Sequence, residues 1–245
     1  MRLVEPNSKL FGLIYGMSGT GKTHLAATYA LWHPDRNVLL IDADQGSETL
    51  KAKEFEKADN LYVVSFDDFK DLNEVYDLCK VNTVEKWCAK VDGLKGILTK
   101  PFDCIVWDTW TEVQWTMSTE LRKKNGLMGN GLNYRNNIQL QHWGQITDLN
   151  KLSIASFKEL PIECLFLMQA IVKEDEVTKQ VIKGPSIHGK LVTELPAMFT
   201  TVIYTYNTPS GGWKATTLPK MGWPAKIRGR TGKDIENPTL KELLG

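Results

Sequence analysis

Among its 245 residues the chain has little of what would staple a secreted fold or hold a structural metal. It has four cysteines, Cys79, Cys88, Cys104 and Cys164, and no two are spaced C-x-x-C. Thiolate metal sites use such close pairs, so the spacing speaks against zinc. Cys104 and Cys164 fall inside apolar runs, the setting of buried thiols in a reducing compartment. An excess of one charge is also missing: 30 Lys and Arg against 29 Asp and Glu leave a formal net charge of +1. Bulk attraction to nucleic acid is thereby excluded, and any such contact needs a local basic patch. No apolar run approaches membrane-spanning length, and Met1-Arg-Leu-Val-Glu-Pro6 has no apolar core of a signal peptide. These absences predict a soluble, cytoplasmic protein with no membrane contact. No internal repeat or low-complexity stretch is found. With 42% apolar residues, the length suits one α/β domain with a large core.

What the sequence does have is Gly16-Met17-Ser18-Gly19-Thr20-Gly21-Lys22-Thr23, which fills every fixed position of G-x-x-x-x-G-K-[ST]. An apolar run, Leu10 to Tyr15, precedes it, and a helical pattern opens at Lys22 and His24. That strand–loop–helix setting predicts a phosphate cradle for ATP and Mg²⁺. The glycines let the backbone curl so that its N–H groups face phosphate oxygens. The helix adds the positive end of its dipole. Lys22 supplies a charge for the β- and γ-phosphates, and the Thr23 hydroxyl is a Mg²⁺ ligand.

Apolar runs alternate with helical patterns along the chain, the mark of a mostly parallel sheet flanked by helices. Strands are predicted at 9–15, 37–42, 61–65, 102–108 and 162–168. Helices are predicted at 22–32, 47–57, 67–80, 83–92, 109–124 and 137–158. Residues 125–136, rich in Gly and Asn, read as a loop, and 172–190 as a polar segment. Strands at 199–206 and 212–218, joined through Asn207–Gly212, read as a β-hairpin. A short helix is predicted at 238–244. The expected organisation is one domain over 1–245, with a core at 8–206 and a hairpin plus basic extension at 207–245.

A phosphate cradle needs an acid on a nearby strand to organise the metal. Phe102-Asp-Cys-Ile-Val-Trp-Asp108 is an apolar strand ending in one, so Asp108 is the predicted Mg²⁺-organising residue. The alternative is a plain acid at the start of the next helix. Thr109 follows, where many motor ATPases carry a water-polarising glutamate, so the base must come from elsewhere. Val38-Leu-Leu-Ile-Asp42-Ala43-Asp44 is a second strand ending in acids. Asp44 is the candidate base, with Asp42 lower in the strand; the alternative is that both cap the turn at Ser47.

With Leu165-Phe-Leu-Met-Gln169 further along, these features in their chain order resemble the RecA-like core ATPases. More closely, the chain resembles a phage-encoded nucleotide-binding group often labelled "AAA domain", whose members work with single-strand-annealing and single-strand-binding proteins. The resemblance spans most of residues 8–232 and rests on Gly16–Thr23, Ile41–Asp44, Ile105–Asp108 and Leu165-Phe-Leu-Met-Gln169. It implies a RecA-like P-loop fold, ATP hydrolysis, homo-oligomers and single-stranded DNA as partner, in a bacterial host cytoplasm. The implied catalytic set is Lys22, Asp44, Gln169 as γ-phosphate sensor and Arg228. Two DNA-facing loops are implied. The first, 125–136, is flanked by Lys123, Lys124 and Arg135 with Tyr134 as a stacking ring. The second, 172–190, carries Lys183 and Lys190. Lys123-Lys124 read equally as a solvated helix end. Lys226, Arg228 and Arg230, in a stretch from Lys214 to Lys233 with no acid, read as a finger into a neighbouring subunit's site, as DNA contacts, or as a solvated basic edge. Asp44 departs from the glutamate usual in RecA, and its shorter reach implies slow turnover. A non-catalytic ATP-dependent assembly switch and a small-molecule P-loop kinase are the competing readings.

Overall fold

The computed structural model describes residues 9–126, 140–174 and 179–245. Its strands are β1 (Phe11–Gly16), β2 (Asn37–Asp42), β3 (Leu61–Ser65), β4 (Phe102–Asp108), β5 (Glu163–Glu174), β6 (Val181–Pro185), β7 (Thr201–Asn207), β8 (Trp213–Thr216), β9 (Lys226–Ile227) and β10 (Asp234–Glu236). The helices are α1 (Lys22–Trp32), α2 (Phe69–Val81), α3 (Val84–Lys90), α4 (Trp110–Lys124), α5 (Leu140–Glu159), α6 (Leu191–Met198) and α7 (Leu240–Leu244). Strands β3-β2-β4-β5-β1-β7 lie side by side and parallel. Antiparallel β8 and β10 continue the sheet beyond β7. The expected α/β fold, a mostly parallel sheet flanked by helices with a hairpin extension toward the C-terminus, is present.

Strand alternation sends side chains to two covered faces. Ile14, Leu40, Val106, Leu165 and Ile203 pack beneath α1 and α7. Leu13, Ile41, Trp107, Phe166 and Val202 pack on the other side with residues of α2, α4, α5 and α6. Burial on both sides explains why the central strands read as unbroken apolar runs rather than alternating ones. The second face is aromatic. Trp107 meets Trp110 edge-on at 5.4 Å, Trp110 meets Phe166 at 4.9 Å, and the Trp110 indole N–H donates to Asn150 Oδ1 at 3.1 Å. Cys79, Cys104 and Cys164 are buried free thiols, as their apolar surroundings predict for the last two.

Three segments depart from expectation. The helix predicted at 47–57 is a 3₁₀ turn, Ser47–Lys51, followed by further turns. Its apolar residues Leu50 and Phe55 are five positions apart and cannot share one helix face. In the described part of the polar segment 172–190, β5 runs on to Glu174 and pairs antiparallel with β6. Helix α6 was not expected, because Pro196 interrupts its pattern. It nevertheless buries Leu191, Val192, Leu195 and Pro196 as one stripe. Among the described residues no helix is long and apolar enough to cross a membrane.

Candidate nucleotide site

The site forms where β1, β2 and β4 end, beside Gln169 within β5. β1 finishes at Gly16, which pairs with Gln169 on one side and Thr205 on the other. A side chain at Gly16 would run into Thr205 and Thr20, so only glycine lets the loop leave the strand there. Thr20 Oγ1 bonds Met17 O at 2.7 Å and Thr205 Oγ1 at 2.8 Å, fixing the loop's crown. Gly19 and Gly21 hold left-handed φ of 71° and 76°. Helix α1 then starts at Lys22 with no side-chain cap and no acid in its first turn. Its first N–H groups are left for a ligand at the loop.

Lys22 is 6% exposed, and its ammonium donates to Gly16 O at 3.2 Å, Met17 O at 2.9 Å and Gln169 Oε1 at 3.4 Å. Burial lowers its pKa, while Asp108 and Asp44 pull it back up. Gln169 is anchored on the other side: its N–H donates to Thr111 Oγ1 at 3.0 Å, and its carbonyl accepts Ser186 N–H at 2.6 Å.

Asp108 is fully buried, and neither of its carboxyl oxygens has a hydrogen-bond partner. Burial pushes its pKa up to about 7; the Thr23 hydroxyl opposes this, Asp44 and Asp42 add to it, and Lys22 opposes it. The Thr23 hydroxyl thus favours the charged carboxylate while lying outside hydrogen-bonding geometry. The Asp108–Thr109 peptide bond is cis. Two buried acceptors without donors, beside a hydroxyl and an ammonium, suit a hydrated cation completed by phosphate oxygens. Among the described residues no three His, Cys, Asp or Glu side chains gather to hold a metal by themselves.

Asp42 and Asp44 separate in role. Asp42 pairs across the sheet with Asp108, and its two oxygens accept N–H groups of Gly46 at 3.1 Å and Ser47 at 3.2 Å. Both oxygens are thus engaged in capping the turn at Ser47. Asp44 sits on the exposed turn above and, among the described residues, accepts a single N–H, that of Gly46 at 3.0 Å. Partial desolvation raises its pKa; the Gly46 N–H opposes this, Asp42 reinforces it, and Lys22 opposes it. Ala43 N–H bonds Asp108 O at 2.6 Å and ties this turn to the end of β4.

A protein-family model described as "AAA domain" matches residues 8–229. The chain belongs to the AAA domain family. Its phosphate loop, mostly parallel sheet and family membership together make it a nucleotide-binding domain of the ATPase class. Among solved structures the AAA domain is similar to the crystal structure of the RadB recombinase. The two are 17% identical over 93% of this chain and 86% of that one, with a TM-score of 0.48. No curated protein matches it.

Other sequence-predicted residues of this AAA domain lie elsewhere. Lys226, Arg228 and Arg230 stand at the opposite end of the sheet, where β9 pairs with Thr201 and Val202 at the start of β7. Lys226 Nζ and Arg228 both donate to Ala197 O, at 3.4 and 3.3 Å. Arg228 is thus separated from Gly16 of its own chain by β7, whose Thr201 pairs with Ile227 and whose Thr205 pairs with Gly16. Lys123 pairs with Glu120 at 3.6 Å at the exposed end of α4, beside Lys124. Tyr134 and Arg135 lie outside the described residues. Lys183 donates to Met221 O at 2.9 Å and lies 5.8 Å from the Trp223 ring centre. Lys190 caps α6 and is exposed. Sequence reasoning missed Thr205, Thr111 and Trp213. The Trp213 ring packs on Gly21 so closely that a Cβ there would lie 2.6 Å from it. None of the three has a motif spacing to the phosphate loop; only strand order brings them to it.

Proposed function

We propose that the protein binds Mg²⁺–ATP at Gly16–Thr23 and hydrolyses it slowly, coupling the nucleotide to single-stranded DNA and to association of its copies. The observation that carries this reading is the buried, unpartnered Asp108 carboxyl beside Lys22 and Thr23. The backbone N–H groups of Gly16–Thr23 and His24 receive the phosphates, and Lys22 holds the β- and γ-oxygens. Thr23 and Asp108 hold Mg²⁺, which when bound neutralises charge on those oxygens. Asp44 accepts the proton of the attacking water. The bond from the bridging oxygen to the γ-phosphorus breaks, leaving ADP and phosphate. Its exposed position and single N–H partner suit that task; Asp42, with both oxygens engaged, does not.

Gln169 is the link to DNA. It touches Lys22 with its side chain and Ser186 with its carbonyl, so a change at the phosphates reaches the β5–β6 hairpin that carries Lys183. Lys123, Lys124 and Lys190 supply further positive charge, with single-strand-binding or annealing proteins as accessory partners. Lys226, Arg228 and Arg230 serve the phosphates of a neighbouring copy. ATP hydrolysis measured with and without single-stranded DNA, across salt, tests the whole. Stimulation that weakens as salt rises supports the reading. Tight binding without turnover would replace it with an assembly switch, and phosphate transfer to a metabolite would replace it with a kinase.

A further inference from the structure

The geometry points to a site for the nucleotide's base, on the exposed side of Trp213. This rests on the phosphate-loop reading and adds to it a residue that chooses which nucleotide is held.

Strand order supplies the direction. Lys22 reaches over to Gln169 of β5 and faces Asp108 of β4 and Asp44 just after β2, so the groups suited to the γ-phosphate lie on one side of β1. A nucleotide with its γ-end there extends its other end across the loop toward β7 and β8. β8 begins with Trp213. The ring lies against Gly21, the residue just before Lys22 and Thr23, and stays half-buried while Ala215 on the same strand is fully buried.

The ring is held in place. His24, the first residue after Lys22-Thr23, meets it edge-on at 5.8 Å. His24 is itself braced edge-on by Phe55 at 5.4 Å and hydrogen-bonded through Nε2 to Glu54. The strand that carries the ring is fixed as well: the backbone N–H of Trp213 donates to Asn237 Oδ1 at 3.4 Å, and its carbonyl accepts Asn237 N–H at 2.9 Å. A fixed indole beside the loop, with one side committed to Gly21, is a platform on which a planar base stacks. The left-handed glycine beneath it serves two ends: its φ of 76° turns the chain into α1, and its missing Cβ lets the ring sit close.

The ligand class is a purine nucleoside triphosphate, because the larger ring system covers more of an indole than a pyrimidine does. Calorimetric titration with Mg–ATP, Mg–CTP and Mg–tripolyphosphate tests it on the full chain. Base–aromatic stacking is worth about 1–3 kcal/mol, so Trp213→Leu should weaken ATP binding roughly 5- to 150-fold. The variant should also lose the preference for ATP over CTP and bind tripolyphosphate as wild type does. Trp213→Phe should keep most of the ATP affinity. If Trp213→Leu binds ATP like wild type, or loses ATP and tripolyphosphate alike, the stacking site is overturned. A wild-type protein that binds neither ligand overturns the phosphate-loop reading and this inference with it. Wild-type binding of tripolyphosphate as tight as that of ATP overturns the base site alone.

Discussion

At the scale of single residues, Asp42 at the end of β2 and Asp44 on the turn after it stand in different surroundings, and a small change separates them. Asp44→Asn keeps the Gly46 contact in shape but removes the proton acceptor. ATP affinity should stay within about threefold while turnover falls by two to four orders of magnitude, roughly the size of general-base contributions. Unchanged turnover would remove Asp44 from the mechanism. Asp108 carries a pH signature. Its folded pKa, about 7, is raised above the usual 3.8, so between those values the folded protein holds more protons than the unfolded chain. Stability of the metal-free protein should therefore fall as pH rises from about 4 to about 7 and level off above that. Asp108→Asn should remove this slope and be the more stable protein at pH 8, read by urea unfolding across pH. A steeper slope in the variant would contradict the assignment. The gathering of Lys22, Thr23 and Asp108 was legible in the sequence because it depends on local spacing and on the end of a strand. Trp213, Thr205 and Thr111 were not, because each reaches the loop only through tertiary pairing.

At the scale of elements, α1 is held at both ends by different means. Its N-terminus stays open to the phosphate loop, while its body is locked by α7. The lock is polar as well as apolar: Leu240 N–H donates to Thr28 Oγ1 at 2.9 Å in a fully buried contact, and Thr28 in turn donates to Leu25 O. Thr28→Val preserves shape and strands that N–H, which should cost about 1–3 kcal/mol. Denaturant midpoints should drop accordingly with ATP affinity unchanged, since the loop itself is untouched; loss of affinity would mean that α7 also sets the loop. The long apolar strands and amphipathic α2, α4 and α5 were readable because their periods are strong. β6 and α6 were not. β6 is a short stretch with Lys183 and Gly184 inside it, formed because β5 overruns the sheet and offers an edge. Gly184 lets α6 approach closely, since a Cβ there would lie 2.9 Å from Val192. Neither condition is written in the local sequence.

At the scale of the whole molecule, the sheet has a phosphate end and a basic end. Lys226, Arg228 and Arg230 occupy the second, by the start of β7, and no rearrangement within the sheet brings them to Gly16. If they act on ATP, they act on the ATP of another copy, and a contact that joins one end of a molecule to the other end of the next is heterologous. Such an arrangement has a consequence that an isolated site lacks. Arg228→Ala has an intact loop without a finger, and Lys22→Ala has an intact finger without a loop. Each alone should be nearly inactive, Arg228→Ala while still binding ATP. Mixed in equal amounts, some junctions pair the intact loop of one with the intact finger of the other, and hydrolysis should recover to a fraction of wild type that grows with protein concentration. Arg228→Ala hydrolysing at the wild-type rate would return these residues to a solvated or DNA-facing edge. Failure of the mixture to recover, with both variants folded and associating, would do the same, because a finger that works across a junction must be exchangeable between copies.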